Sequence, residues 1–357
     1  MPTAESSKQN SHTLSEILSQ PEIWPGALRQ AQDSPAFLSA VHQMRSAREV
    51  LFLGCGTSFY LAEAAAATWT LVTGKSARAL PASEPMLFPE LAQLRLKGTQ
   101  AVVISRSGRT SEAVRAAQIL QGTYDIPTLG ITCAAASELA RTCSHTLELT
   151  AADEKSTVMT RSFTSMLLAL QQLAATCAGT NAISAAETQS SRLAKRILGF
   201  SKQIEAFAAS GDFADYVFLA QGPFYPIARE AGLKVMEMSC SYGQTYHSLE
   251  FRHGPKAIVG PETCLTFFLS ESGYDAEAEV LCEMKELGGT IVAVGNRHKE
   301  FVRKSSDLVI EFDMDMPEIA LLAPYIVPAQ LLGFYIGIKK GLNPDEPRNL
   351  SRVVILD

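Results

Sequence analysis

The stretches "VLFLGCGTSFY" (Val50–Tyr60) and "YVFLAQGPFY" (Tyr216–Tyr225) decide the fold, because Phe52, Leu53 and Gly56 recur as Phe218, Leu219 and Gly222 at an offset of 166. A second pair follows in the same order. "VVISRSGRT" (Val102–Thr110) matches "FFLSESGYD" (Phe267–Asp275), so Ser105, Ser107 and Gly108 correspond to Ser270, Ser272 and Gly273 at an offset of 165. Farther on, "PTLGIT" (Pro127–Thr132) resembles "TIVAVGN" (Thr290–Asn296). Several matches in one order at nearly one offset read as a duplicated unit. Within each unit, short Val/Ile/Leu/Phe runs end in glycine turns and lead into helical spacing, as in "TSEAVRAAQILQG" and "YDAEAEVLCEMKELGG". This alternation predicts an α/β fold: two lobes, each a parallel sheet covered by helices on both faces. Ligands of such lobes gather outside the carboxyl ends of the strands.

Length and composition agree with two lobes. A chain of 357 residues exceeds what one core usually holds. The boundaries read as an N-terminal helical segment 1–46, a first lobe 47–180, a helical linker 181–214 containing "SRLAKRILGFSKQIEAFAASGDF", a second lobe 215–341 and a tail 342–357. With 31 Lys and Arg against 37 Asp and Glu, the net charge of −6 offers no basic field for a phosphate backbone, so nucleic acid is not an expected partner. Seven cysteines, at 55, 133, 143, 177, 240, 264 and 282, show no Cys-x-x-Cys spacing and point to a reduced, cytoplasmic protein. The start, "MPTAESSKQNSH", lacks a basic region followed by an apolar run, so no signal peptide is expected and these residues read as frayed. "IALLAPYIVPAQLLGFYIGIKK" (Ile319–Lys340) has the length of a membrane span. Pro324 and Pro328, which would break such a helix twice, and the internal Gln330 instead favour a buried core or interface helix.

The first lobe offers two loops for an anion. Ser105–Thr110 lies where a strand ends and a helix begins, and the first amides of a helix lack internal partners and carry a partial positive charge. Ser105, Ser107 and Thr110 add hydroxyl donors, and Gly108 lets the backbone curl close to a ligand. Taken alone, the same residues fit a helix cap by Thr110 or Ser111 with Glu112 nearby. In the repeat, Glu271 and Asp275 would repel a phosphate, so one copy reads as kept for an anion and the other as retired. The second loop, "GCGTSF", places Gly56, Thr57 and Ser58 at the start of the next helix. It lacks the third glycine and the acidic residue of a dinucleotide site, and Cys55 has no basic partner in the sequence and reads as a small buried residue.

In the second lobe, Lys234 and Glu237 stand three apart on one helical face, with Glu230 in reach. Leu233, Val235, Met236 and Met238 mark that helix as buried, a setting in which a carboxylate tends to suit proton transfer. His253 follows in the turn-like "FRHGP".

These residues resemble the tandem sugar-isomerase (SIS) family: the isomerase half of glucosamine-6-phosphate synthase and, more closely, stand-alone SIS proteins classed as glucosamine-6-phosphate deaminases. The resemblance runs from "SEILSQPEIW" to "NPDEPRNLSRVVIL" and rests on "GCGTS", "SRSGRT", "EKSTVMTRSFTS", "LKVMEMS" with "LEFRHGPKA", and "NPDEPRNL". It implies two tandem SIS domains, each a three-layer αβα sandwich of flavodoxin-like type, with the tail over the site. It further implies that Ser105, Ser107 and Thr110 hold a sugar phosphate. Gly56, Thr57 and Ser58 would line the same pocket, Arg106 would contribute backbone and Thr157 would touch the sugar. Glu237 would move a proton between C1 and C2 with Lys234 beside it, and His253 would help open the ring in the site of a neighbouring subunit, which implies a homodimer.

Two departures bear on the reaction. No glutaminase domain like the synthase's is expected, and by the resemblance Arg352 stands where the synthase has an imine-forming lysine. Arginine stays protonated and cannot be that nucleophile. The expected protein is a phosphosugar isomerase or deaminase, most simply one converting glucosamine 6-phosphate to fructose 6-phosphate and ammonia. An isomerase or deglycase of another phosphorylated sugar, such as galactosamine 6-phosphate, and a non-catalytic phosphosugar-binding regulator are the alternatives. No cofactor or metal is expected, since the histidines at 12, 42, 145, 247, 253 and 298 are dispersed.

Overall fold

The computed structural model describes residues 11–92, 94, 97–181 and 189–356. The chain divides into two compact units, each made of stretches that are not contiguous in sequence. The first comprises Gln20–Glu154, Arg161–Ser190 and Ser351–Asp357; the second comprises Met1–Ser19, Lys155–Thr160 and Ser191–Leu350.

The first unit holds a five-stranded sheet of β1 (Glu49–Gly54), β2 (Ser76–Pro81), β3 (Thr99–Ile104), β4 (Thr128–Thr132) and β5 (His145–Glu148), in the order β2-β1-β3-β4-β5. Every pairing is parallel. Alternation along the strands explains why both faces are covered. Leu51, Leu53, Ala101 and Val103 pack with Ala113, Ala116, Ala117 and Leu120 of the helix Ser111–Tyr124, while Val50, Phe52, Val102 and Ile104 are buried on the opposite face.

The second unit repeats the plan with β6 (Asp215–Ala220), β7 (Tyr242–His247), β8 (Thr263–Phe268), β9 (Thr290–Gly295) and β10 (Leu308–Glu311), in the order β10-β9-β8-β6-β7 and again all parallel. Read from the other edge, this is the first sheet's order strand for strand. The repeat in the sequence is therefore a repeat of fold. In both sheets the chain reverses direction across the sheet between the first and third strands, and that switch point is where ligands of such sheets bind.

Two features of the second unit differ from the sequence reading. The apolar stretch forms one helix, Leu322–Lys339, that runs unbroken through Pro328, with Pro324 in its first turn where a missing N–H costs nothing. It is the one described helix long and apolar enough to cross a membrane, and 94% of its apolar window is buried inside the protein. The frayed start expected for residues 1–12 falls mostly on residues 1–10, outside the described residues. Ser11 and His12 are ordered: the Ser11 hydroxyl caps the helix His12–Leu18 by accepting from Leu14 N. The linker reading falls on the helix Ser190–Ser210 and on residues 182–188, the latter outside the described residues.

Candidate active site

In the first unit, the loops after β1 and β3 leave neighbouring parallel strands at the switch point. Their glycines are obligatory. A Cβ on Gly108, at φ +60, would lie 2.1 Å from Ser137 Oγ, and one on Gly54 would lie 2.2 Å from the Ser58 carbonyl oxygen. Gly56, at φ 52, occupies the N-cap of the helix Thr57–Thr73, which receives no side-chain cap, and Thr57 and Ser58 are buried at its start. The Cys55 thiol is pushed up to about 11 by burial and by nearby Glu112, which suits packing rather than attack.

The Ser105–Thr110 loop is braced from within. Ser105 Oγ accepts from Gly108 N (3.1 Å) and donates to Thr110 Oγ1 (3.2 Å), so Ser105 acts as a strut. Ser107 Oγ accepts from Arg109 N (3.2 Å). Both Ser107 and Thr110 thus use their hydroxyl oxygens as acceptors, which leaves each hydroxyl proton free to donate. Among the described residues the Ser107 amide bonds no acceptor. Thr110 sits at the N-cap position yet makes no side-chain cap bond, so the plain capping alternative is not what these residues do. The result is a cup of unclaimed neutral donors.

Arg106 stiffens this cup in a way the sequence did not disclose. Its carbonyl accepts from Thr132 Oγ1 (3.0 Å) and Cys133 N (2.9 Å), so this oxygen is turned into the fold. Its buried guanidinium pairs with the fully buried Glu154 at 3.3 Å, and Glu154 also accepts from the Ser162 hydroxyl. A second bond runs from Arg106 Nη2 to the Arg352 carbonyl (3.4 Å), while the Arg352 guanidinium pairs with Asp153 at 2.5 Å. The tail carrying Arg352 continues onto the start of the helix Ser111–Tyr124, where Ser111 N donates to Val354 O (3.3 Å) and Leu356 N to Ser111 Oγ (2.9 Å).

The corresponding loop of the second unit has its donors taken. The Glu318 carboxylate accepts from Glu271 N (2.5 Å), Ser272 N (3.2 Å) and Ser272 Oγ (2.6 Å). Glu277, fully buried, accepts from Ser270 N and Oγ and from Ser248 Oγ. The retired state expected from Glu271 and Asp275 is reached by other residues: Glu271 faces Asn296 Nδ2 at 2.7 Å, and Asp275 pairs with Lys299.

The second unit's own candidates lie elsewhere. The helix Tyr225–Ser239 presents Glu230, Lys234 and Glu237 on one face, with Lys234 3.3 Å from Glu230 and hydrogen-bonded to Glu237. Glu230 and Lys234 are fully buried, whereas Glu237 keeps 18% of its side chain exposed. Burial opposes the charge on Lys234, but the two carboxylates outweigh it and hold the ammonium above its ordinary value. Glycines fix this helix on two sides: a Cβ on Gly337 would strike Met238 O at 2.3 Å, and one on Gly243 of β7 would strike Gly232 O at 2.4 Å. Met236, expected in the core, is exposed. Thr157 lies on the Lys155–Thr160 segment, its amide donating to Asp345 O (3.1 Å), and His253 is exposed in a turn after β7 with its own amide bonded to Glu250 O (2.9 Å). The structure therefore gathers Gly56, Thr57, Ser58, Ser105, Arg106, Ser107, Thr110 and Arg352 in the first unit, and puts Lys234, Glu237, Thr157 and His253 in the second. No group of three or more His, Cys, Asp or Glu among the described residues is arranged to hold a metal ion.

Comparison with known proteins supplies an independent reading. The SIS domain profile matches residues 43–176 and 215–335. The chain is 26% identical to glutamine–fructose-6-phosphate aminotransferase (isomerizing) of Methanothermobacter thermautotrophicus, covering 90% of this chain and 54% of that protein. It thus spans about half the length of such relatives. A candidate D-galactosamine-6-phosphate deaminase, AgaS, of Streptomyces coelicolor is 29% identical, with 94% of this chain and 91% of that protein covered. The crystal structure of glucosamine-6-phosphate deaminase from Thermotoga maritima superposes with a TM-score of 0.74 at 28% identity, covering 97% of this chain and 100% of that one.

Proposed function

The chain belongs to the SIS domain family, and from that premise we propose that it is a phosphosugar aldose–ketose isomerase that deaminates a hexosamine 6-phosphate, in the simplest case glucosamine 6-phosphate to fructose 6-phosphate and ammonia. The observation that carries this reading is the contrast between the two cups: one keeps its donors unclaimed at the switch point, and the other is filled by Glu318.

In this reading the phosphate is anchored by the Ser107 and Thr110 hydroxyls and the Ser107 amide, with Ser105 bracing the loop and Gly56, Thr57 and Ser58 beside it. Neutral donors suit an anion without a competing buried cation. Thr157 contacts the sugar. His253 assists ring opening, and by family resemblance it does so in the site of a neighbouring subunit, so the working form is a homodimer. Glu237 takes the proton from C2 of the open-chain amino aldose and returns it to C1. The Lys234 cation steadies the negative charge that passes through this group. Moving the double bond converts the C2 amine to a ketimine, and water adds to release ammonia and the ketose. No protein imine is needed on this route. The Arg352 guanidinium, paired with Asp153, supplies none.

The Streptomyces relative favours galactosamine 6-phosphate as a second substrate to try. Incubation of the purified chain with each amino sugar phosphate, with ammonia and ketose phosphate measured, is the test. Ammonia and ketose in equal amounts from one of them is expected; binding without turnover of either would make the chain a regulator and overturn the enzyme reading.

A further inference from the structure

The segment Lys155–Thr160 carries Thr157, and its bonds come from parts of the second unit far away in sequence. The buried carboxylate of Glu16, on the helix His12–Leu18, accepts from Lys155 N (2.6 Å), Ser156 N (3.4 Å) and the Ser156 hydroxyl. The next amide, that of Thr157, donates to the Asp345 carbonyl (3.1 Å). The far end is held by the fully buried Gln330, whose Nε2 donates to Thr160 O (3.4 Å). Asp345 is itself tied to the start of the helix that carries Glu16. Its carboxylate accepts from Ser11 Oγ (2.7 Å), His12 N (2.9 Å) and Thr13 N (2.8 Å), and the neighbouring Pro344 carbonyl accepts from Thr13 Oγ1 (3.1 Å).

We infer that Glu16 and Asp345 are positioning residues that together set the Thr157 loop, so that the helix His12–Leu18 works as part of the substrate-orienting apparatus; this rests on the reading of Thr157 as a sugar contact. Neither carboxylate needs to touch substrate. The Glu16 carboxylate holds the Lys155 and Ser156 amides and the Asp345 carbonyl holds that of Thr157, while the Asp345 carboxylate fixes Asp345 to Ser11, His12 and Thr13; an error of about 1 Å in an orienting group can cost on the order of 100-fold in rate. The geometry also separates this role from phosphate binding. The loop and its clamp lie in the second unit, whereas the donors of the cup lie in the first.

Glu16→Gln puts an amide NH2 against backbone donors and should displace the loop. Asp345→Asn and the milder Ser11→Ala loosen the clamp one step away. For the amino sugar phosphate that the wild type turns over, Glu16→Gln should raise KM and lower kcat by about tenfold each, with Asp345→Asn intermediate and Ser11→Ala smallest. Competitive inhibition by inorganic phosphate should keep its inhibition constant. A variant that merely unfolds in part would lose kcat at constant KM. Amide exchange at Ser156 and Thr157, read by mass spectrometry on full-length folded protein, should accelerate in the same rank order. Unchanged exchange and unchanged KM in Glu16→Gln, or phosphate inhibition weakening in parallel with KM, would overturn the inference. If the wild type turns over no amino sugar phosphate, the functional reading falls by itself, and the exchange series still decides whether these carboxylates hold the loop.

Discussion

The loop Ser105–Thr110 and its repeat Ser270–Asp275 share two serines and a glycine, sit at equivalent switch points and brace themselves alike, with a serine hydroxyl accepting from the glycine amide at 3.1 Å in one and 2.9 Å in the other. They differ in what faces the remaining donors. In the first unit, the connection after β5 brings in Glu154, which turns away from the donors to pair with the Arg106 guanidinium; in the second, the connection after β10 brings in Glu318, which sits on the donors themselves. An anion site is thus kept or closed by where one carboxylate from a distant connection is spent. The loop sequence alone does not decide it.

The largest expected effect tests whether the second unit, with its own cup closed, contributes chemistry instead of anchoring. Glu237→Gln should lower turnover by about 10² to 10⁴-fold. Affinity for the phosphosugar, read by calorimetry, should stay nearly the same, and full turnover would remove the proposed base.

The next prediction separates the two cups directly. Ser107→Ala with Thr110→Ala removes two donors to a charged group, about 1.5–3 kcal/mol each, so affinity should fall on the order of 100-fold or more. Ser272→Ala should leave affinity where it was. Comparable losses from both would mean that the cups are not different in kind.

Backbone strain sharpens the contrast at a smaller scale. Gly108→Ala forces a left-handed conformation worth about 1–2 kcal/mol, in addition to the collision with Ser137. Gly273, at φ −106, carries no such strain, and its Cβ would meet its nearest side-chain atoms at longer range, Glu277 Oε1 at 2.9 Å and Ser270 Oγ at 3.0 Å. Denaturant unfolding should show the first substitution to be the more costly, and the reverse order would contradict the strained turn.

The smallest effect is a pH signature. Burial raises the Glu277 carboxyl above its ordinary 4.5, against the pull of hydrogen bonds from Ser270 and Ser248. The folded chain therefore binds this proton more tightly than the unfolded chain does, and stability should decline as pH rises from about 4.5 through the folded value. Asp345 has the opposite sign: burial raises it, but bonds from Thr13, Ser11 and His12 outweigh that and hold it below 3.8. The stability it contributes is present above that value and lost as pH falls through the lower folded one. Melting temperatures of Glu277→Gln and Asp345→Asn across pH should lose these two slopes separately; a Glu277→Gln curve parallel to wild type above pH 4.5 would remove the first.

Much of this plan was legible in the chain. Identical offsets at Phe52 and Phe218 announced two equal sheets, and Gly108 announced a tight turn, because a strand end and a positive φ leave local marks. The hydroxyl cup was legible for the same reason. Glu16, Glu154, Glu318 and Asp345 were not, since each acts on residues brought near only by folding, as when Asp345 meets Ser11 across 334 positions. The inward turn of the Arg106 guanidinium was not legible either, because its partner Glu154 lies 48 positions away. Pro328 was misread because helix propensity weighs little in a helix packed on all sides.

The most direct measurement is calorimetric titration of glucosamine 6-phosphate into the full-length Glu237→Gln chain, in which the sugar is bound and not consumed. One phosphosugar per chain is expected, weakened on the order of 100-fold or more by Ser107→Ala with Thr110→Ala and untouched by Ser272→Ala. Two per chain, or one whose affinity survives loss of the first unit's hydroxyls, would contradict a single open cup.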